Sequence, residues 1–320
     1  MIKYIFNENR EKLIMDIFDS LGENTNESER LKIIESIFNK RDIQEIKTYF
    51  ENMNIIKFKK EVLENTFISG AWMIKIKIFH HQNGEIRLHL FSEKLYDNLL
   101  KWVEWEPHVH DFQWYSNVLL GEILEEWYSI NAITTEEENE YQYFLKWFSW
   151  QDKVLQKKVM QYMDKKNSKS MEFLEEIKEL NDFCAEYNID LKNLSDIYTI
   201  YDSEKEYNTQ NKLIEKFYKI GSYKFIFDQI RIIKQWMAYV LPAHRWHRIL
   251  NETESITLFI SDTTYKSQDF EKANNIFLRW HAKRIPSQQK SQKIRTIMDK
   301  HNKIDILYNH IVSQYKKVII

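Results

Sequence analysis

The chain has one cysteine, three prolines and five glycines among its 320 residues. A lone cysteine, Cys184, excludes an internal disulfide and any zinc cluster built from several thiolates. So few glycines and prolines leave little turn chemistry. That disfavours a chain made only of hairpins and points to much helix. An excess of either charge is also missing, with 46 basic residues against 48 acidic. The balance argues against a dedicated nucleic-acid binder and against a polybasic membrane anchor. No apolar run approaches the ~18 residues of a membrane span. Glu8, Arg10, Glu11 and Lys12 stand where a signal peptide needs an apolar stretch. A cytoplasmic protein is the default expectation.

What is present is a globular balance: 43% hydrophobic and 29% charged residues, with 15% aromatic. The length suits one large domain or two ordinary ones. Residues 1–62 read as helices. Leu13, Ile14, Ile17, Phe18 and Leu21 form one stripe, and Leu31, Ile34, Ile37 and Phe38 a second. Asp42 with Glu45 resembles a capping box before Ile43, Ile46, Tyr49, Phe50 and Met53. The period then changes. Trp72, Ile74, Ile76 and Ile78 alternate with Met73, Lys75, Lys77 and Phe79. After Asn83-Gly84, Ile86, Leu88 and Leu90 alternate with Arg87, His89 and Phe91, a hairpin signal. A second strand-rich stretch runs from about Trp105 to Ile133.

Helix is expected again over residues 150–220, from the stripes Phe173, Leu174, Ile177, Leu180, Cys184, Tyr187 and Leu213, Ile214, Phe217, Tyr218, with Gly221 ending the block. Strands resume in 223–241 and in Ser255–Ser261. Ile294, Ile297, Met298, His301, Tyr308, Ile311, Val312 and Tyr315 predict a terminal helix over 287–320. The two strand-rich parts, 63–149 and 221–286, must pair to cover their edges, which predicts a β-barrel or sandwich with helical additions. The inserted helices should join residues 1–60 and 290–315 in one layer beside it.

Two clusters carry chemistry. In Glu106-Pro107-His108-Val109-His110, an extended strand turns both imidazoles to one face. The second cluster is Pro242-Ala243-His244-Arg245-Trp246-His247-Arg248-Ile249-Leu250-Asn251. Together they resemble the two motifs of the cupin superfamily. His108, His110 and Gly121 fit the spacing of the first motif. Pro242, His247 and Asn251 fit the second, with His244 in its glycine slot. The resemblance covers roughly residues 65–135 and 221–285. It implies an α+β chain built on a cupin-type antiparallel β-barrel, the double-stranded β-helix, with N-terminal, inserted and C-terminal helices.

The resemblance also implies one divalent metal. Trp114 occupies the slot where cupins commonly carry a glutamate ligand, which leaves His108, His110 and His247. Three-histidine sites look most like the thiol dioxygenase branch, cysteine dioxygenase among it, in which Fe(II) takes substrate and O₂ together. Three features depart from that branch. Ser255-Ile256-Thr257-Leu258-Phe259 is the nearest match to its Ser-x-His-x-Tyr triad. Cys184 cannot make the animal-type Cys-Tyr crosslink. Only Lys75 or Lys77 could replace the arginine that holds the substrate carboxylate. Imidazole accepts iron, zinc, copper and nickel, so ligand type alone does not name the metal.

The candidate substrate-binding residues are Trp114, Tyr115, His244, Trp246, Arg87 and His89. No catalytic residue is expected beyond the metal ligands. Glu125-Glu126 read as a solvated edge, Glu136, Glu137 and Glu138 as a helix start, and His80-His81 as a solvated turn. Nothing resembles a phosphate loop or a nucleophile elbow. The expected function is Fe(II)-dependent oxidation of a small anionic or thiol-bearing molecule by O₂. The rivals are a non-oxidative metal-dependent isomerase or hydrolase and a ligand-binding sensor. The expected partner is a small-molecule substrate, with a homodimer as an option, and neither nucleic acid nor membrane.

Overall fold

A computed structural model describes residues 5–23, 27–37, 39–69, 73–92, 109, 113–166, 177–190, 194, 196–207, 213–242, 245–250, 254–262, 264, 276–279, 292–293 and 304–318. Three helices open the chain: α1 (Glu8–Glu23), α2 (Glu27–Glu35) and α3 (Lys40–Glu51). The cap of α3 is Asn39, whose side chain accepts from the Asp42 N–H. Asp42 therefore sits inside the first turn, buried and bonded by Arg10, rather than capping it. Short helical turns over residues 55–65 lead into the strands.

Twelve strands follow among the described residues. They are β1 (Thr66–Ser69), β2 (Met73–His81), β3 (Gly84–Phe91), β4 (Gln113–Leu120), β5 (Glu122–Ala132), β6 (Ile197–Tyr207), β7 (Leu213–Lys234), β8 (Ala238–Leu241), β9 (Trp246–Ile249), β10 (Ser255–Asp262), β11 (Ile276–Arg279) and β12 (Gln292–Lys293). Between β5 and β6 lie α4 (Thr135–Trp150), α5 (Lys153–Lys166) and α6 (Lys178–Glu186), and α7 (Ile304–Lys317) closes the chain. The chain is thus α+β with two antiparallel sheets. One has the order β12-β1-β2-β3-β10-β4-β8 and the other β11-β6-β7-β5-β9.

The Asn83-Gly84 hairpin forms as the alternation requires, with Ile76 opposite Leu88 and Lys77 opposite Arg87. The helix start at residues 136–138 also forms. Glu137 N–H donates to Thr134 Oγ1 and Thr134 N–H to Glu137 Oε2, a reciprocal cap. Three expectations are corrected. Leu213, Ile214, Phe217 and Tyr218 lie on β7, not on a helix. Their short apolar stripe fits either element, and the aromatic and β-branched content of 213–234 finds its backbone partners in β6 and β5. Gly221 is interior to that strand, and the described helices of this stretch are Thr135–Trp150, Lys153–Lys166 and Lys178–Glu186, with Phe173 and Leu174 outside the described residues. Gln292–Lys293 pairs with β1, so the terminal helix does not reach back to residue 287; Ile304–Lys317 is helical, and Ile294, Ile297, Met298 and His301 lie outside the described residues.

The helices do not form one layer. α1–α3 and α7 share a core with one face of the larger sheet, through Phe18, Phe50, Tyr315, Ile76 and Leu88. Phe50 and Tyr315 stack there with centroids 4.3 Å apart. α4–α6 build a separate core with Ile133 and Ile197 at the ends of β5 and β6. A third cluster lies between the sheets: Met73 and Phe91 from one meet Ile123, Ile233 and Ile249 from the other.

The chain passes from β4 in one sheet to β5 in the other through the single residue Gly121. Its φ is +73°, and a Cβ there would lie 2.4 Å from the Glu254 carbonyl oxygen. Only glycine meets both demands without strain.

Candidate functional site

Strand alternation decides which side chains enter the space between the sheets. On β2 and β3, Ile74, Ile76, Leu88 and Leu90 turn to the helices. Lys75, Lys77, Arg87 and His89 share the face of Met73 and Phe91, which looks toward the smaller sheet. On β4, Trp114 packs with Leu241, Phe259 and Trp127, the last from β5 of the opposite sheet. On β9, His247 is directly opposite Trp127 and is fully buried.

An aromatic path crosses the interior. His89 meets Phe259 at 4.4 Å between centroids, Phe259 meets Trp114 edge-to-face at 4.9 Å, and Trp114 meets His247 edge-to-face at 5.2 Å. His247 Nδ1–H donates to the Arg245 carbonyl at 3.0 Å. That bond fixes the tautomer and puts the ring's lone pair on Nε2, the arrangement that metal-binding imidazoles use. His247 therefore fits a ligand role. His108, His110 and His244 lie outside the described residues, as does Asn251. Among the described residues no three His, Cys, Asp or Glu side chains form a group that could hold a metal.

The larger sheet's inner face is cationic. Lys77 Nζ pairs with Glu85 Oε2 at 2.9 Å, and Arg87 also pairs with Glu85. Lys75 has no carboxylate partner among the described residues. Burial, with Arg87 and Lys77 adding repulsion, pulls its ammonium down to about 7. Burial lowers Arg87 to about 10. It also holds His89 well below the usual imidazole range, with Lys75 and Arg87 adding to the effect, so His89 is neutral at pH 7.

Two expected substrate contacts face elsewhere. Tyr115 alternates with Trp114 and packs in the helix-side core. Trp246 precedes His247 and packs outside the smaller sheet with Tyr128, Tyr198 and Phe225. Arg248 shares that outer face and binds Glu126 through Nε at 2.8 Å.

The solvated-edge expectation for Glu125-Glu126 is overturned, since they are 0% and 3% exposed. Glu126 is held by Arg248 and Tyr128. Glu125 points inward in phase with Ile123 and Trp127, and that period was the signal for it in the sequence. Of the turn pair, His80 is exposed as expected, while His81 is half-buried and stacks on Phe18. A surface cleft between the starts of α1 and α3 lies apart from these residues, and its Arg10 and Asn39 are both bonded to Asp42.

No helix among the described residues is long and apolar enough to cross a membrane. No protein-family model matches the chain, and no curated protein matches it at a significant level.

Proposed function

We propose that the chain is a cupin-type oxygenase in which His108, His110 and His247 hold one Fe(II) between the sheets and a small anionic substrate is oxidised by O₂. The observation that carries the reading is His247: a motif histidine, fully buried on the inner face of β9, with Nδ1–H committed to a backbone carbonyl. Strand order supports it. β3-β10-β4-β8 facing β9-β5-β7 is the order of a double-sheet jelly roll, the architecture that cupins share. In an eight-stranded jelly roll the strand bordering β9 comes from the connection between β3 and β4. His108 and His110 fall in that connection.

Bound Fe(II) would supply open positions for an anionic ligand and for O₂. The chain's residues supply the rest. Lys75, Lys77 and Arg87 give the interior a positive wall that favours an anion. Trp114, Phe259 and Trp127 exclude water from the space beside His247. Thr257, where the resemblance expects the triad histidine, pairs directly with His89, so a neutral imidazole stands beside that position from the neighbouring strand.

The test is metal analysis of the purified protein and of H108A, H110A and H247A, with oxygen uptake measured against a panel of small thiols and carboxylates. The reading expects iron bound by the parent and lost from all three variants with the fold retained, and substrate-dependent oxygen uptake by the parent alone. Metal retained by H247A overturns the ligand set. Metal without oxygen uptake favours the non-oxidative rivals.

A further inference from the structure

The three-histidine reading leaves one buried carboxylate without a task. Glu125 is 0% exposed, and neither of its oxygens meets a donor at hydrogen-bond geometry among the described residues; the nearby Trp127 indole lowers its carboxyl only as a lesser influence than burial and Arg231. Its ion partner is Arg231, whose Nη1 lies 3.4 Å from Glu125 Oε2. That same Nη1 donates to the Val240 carbonyl, and the guanidinium stacks on Trp127 at 4.4 Å. A carboxylate kept for structure alone gains the hydrogen bonds that offset its desolvation, as Glu126 does one residue later on the outer face. Glu125 has the charge partner without those bonds.

Its position is specific. On β5 it lies directly opposite Ile249, two residues along β9 from His247. It is thus a diagonal neighbour of His247 on the same inner face, at the roughly 7–8 Å that an antiparallel pair allows. The titratable and charged groups facing it are Arg231 from β7, Tyr239 from β8 and His247 from β9.

We infer that Glu125 is the proton acceptor of the inter-sheet site, taking the acidic proton of the substrate as it binds there as an anion. This rests on the reading proposed above. The step balances: the substrate's X–H bond breaks, its electron pair stays on X, and the proton forms the O–H bond of the Glu125 carboxylic acid. Arg231 compensates the carboxylate before the transfer. Burial, opposed by Arg231, raises this carboxyl to about 7, so that it exchanges a proton near neutral pH.

The experiment has two arms on the full-length protein. In the first, infrared spectra follow the carboxylic-acid band that disappears in E125Q, through a pH titration without substrate. In the second, kcat/KM for oxygen uptake is measured against pH for the parent, E125Q and E125D, with iron content checked in each. The inference expects a titration near neutral pH. It expects roughly a hundredfold or greater loss of kcat/KM in E125Q at unchanged iron content, with the neutral limb of the pH profile gone. E125D should recover part of the rate and restore that limb.

Glu125 ionised down through the ordinary carboxylate range overturns the inference. So does an E125Q enzyme with the parent's rate and pH profile. The failure of the proposed function is distinct, because the parent then consumes no oxygen with any substrate and the proton-transfer step falls with it.

Discussion

Trp114 of β4 and His247 of β9 belong to different sheets, and their rings meet edge-to-face with centroids 5.2 Å apart. The residue in the slot where the resemblance expects a glutamate therefore touches His247, the histidine proposed as a metal ligand. On the proposed Fe(II) reading, Trp114→Glu should bring a carboxylate to the side of His247 and raise iron affinity by about tenfold or more, while slowing turnover by filling a position that substrate would require. Competition with a chelator measures the first effect. Unchanged affinity in a folded variant would separate Trp114 from the metal.

Glu125 makes stability fall as pH rises. Its native-state pKa is about 7 against 4.5 for the free group. Between those values the folded state holds a proton that the unfolded state has released, so rising pH favours unfolding. The full effect is about 3 kcal/mol, reached above pH 7. E125Q should match the parent in urea unfolding near pH 5 and exceed it near pH 8. Equal stabilities at pH 8 would refute the buried, bond-poor environment.

Lys75 has the opposite sign. Its ammonium is lowered from 10.5 to about 7, so the native state holds fewer protons than the unfolded chain between those values. Stability contributed by this group rises with pH over that window. Lys75→Met should raise the unfolding midpoint at pH 7, with the gain shrinking toward pH 10. If the same residue receives the substrate's negative charge, K75M should also raise KM, which steady-state kinetics would register.

Gly121→Ala should be disruptive. The left-handed backbone alone costs about 1–2 kcal/mol for a residue with a Cβ. The Cβ would also press on the Glu254 carbonyl at 2.4 Å. Chemical denaturation should report a loss at or above the top of that range, and a neutral result would contradict the crossing between sheets at this residue.

Arg30 ties α2 to the larger sheet through Asp262, at 2.6 Å with both side chains buried. Arg30→Ala should cost about 3–5 kcal/mol, because it leaves the Asp262 carboxylate buried without its cation. Arg30→Ala with Asp262→Asn should recover part of the loss, as a double-mutant cycle would show.

Much of this architecture was legible in the residues themselves. The alternation from Met73 to Phe91 around Asn83-Gly84 specifies a hairpin because its side-chain period is two. The same alternation puts Lys75, Arg87 and His89 on one face and the isoleucines and leucines on the other. The stripes of α1, α3 and α7 specify helices with one buried side. These are local rules, and no distant part of the chain competes with them. Which face of each sheet meets the helices and which meets the other sheet was not local. Tyr115 and Trp246 sit next to Trp114 and His247 in sequence and point the opposite way, so proximity in sequence misassigned them.

The stretch 213–220 was undetermined for a different reason. Its apolar spacing satisfies a helix and a strand alike, and pairing with β6 decides between them through backbone hydrogen bonds that the sequence does not display. The division of the helices into two cores, the burial of Glu125 beside Arg231, and the meeting of Trp114 with His247 likewise come from tertiary structure. Each depends on residues far apart in the chain, whose contact is set by how two twisted sheets pack and not by any local period.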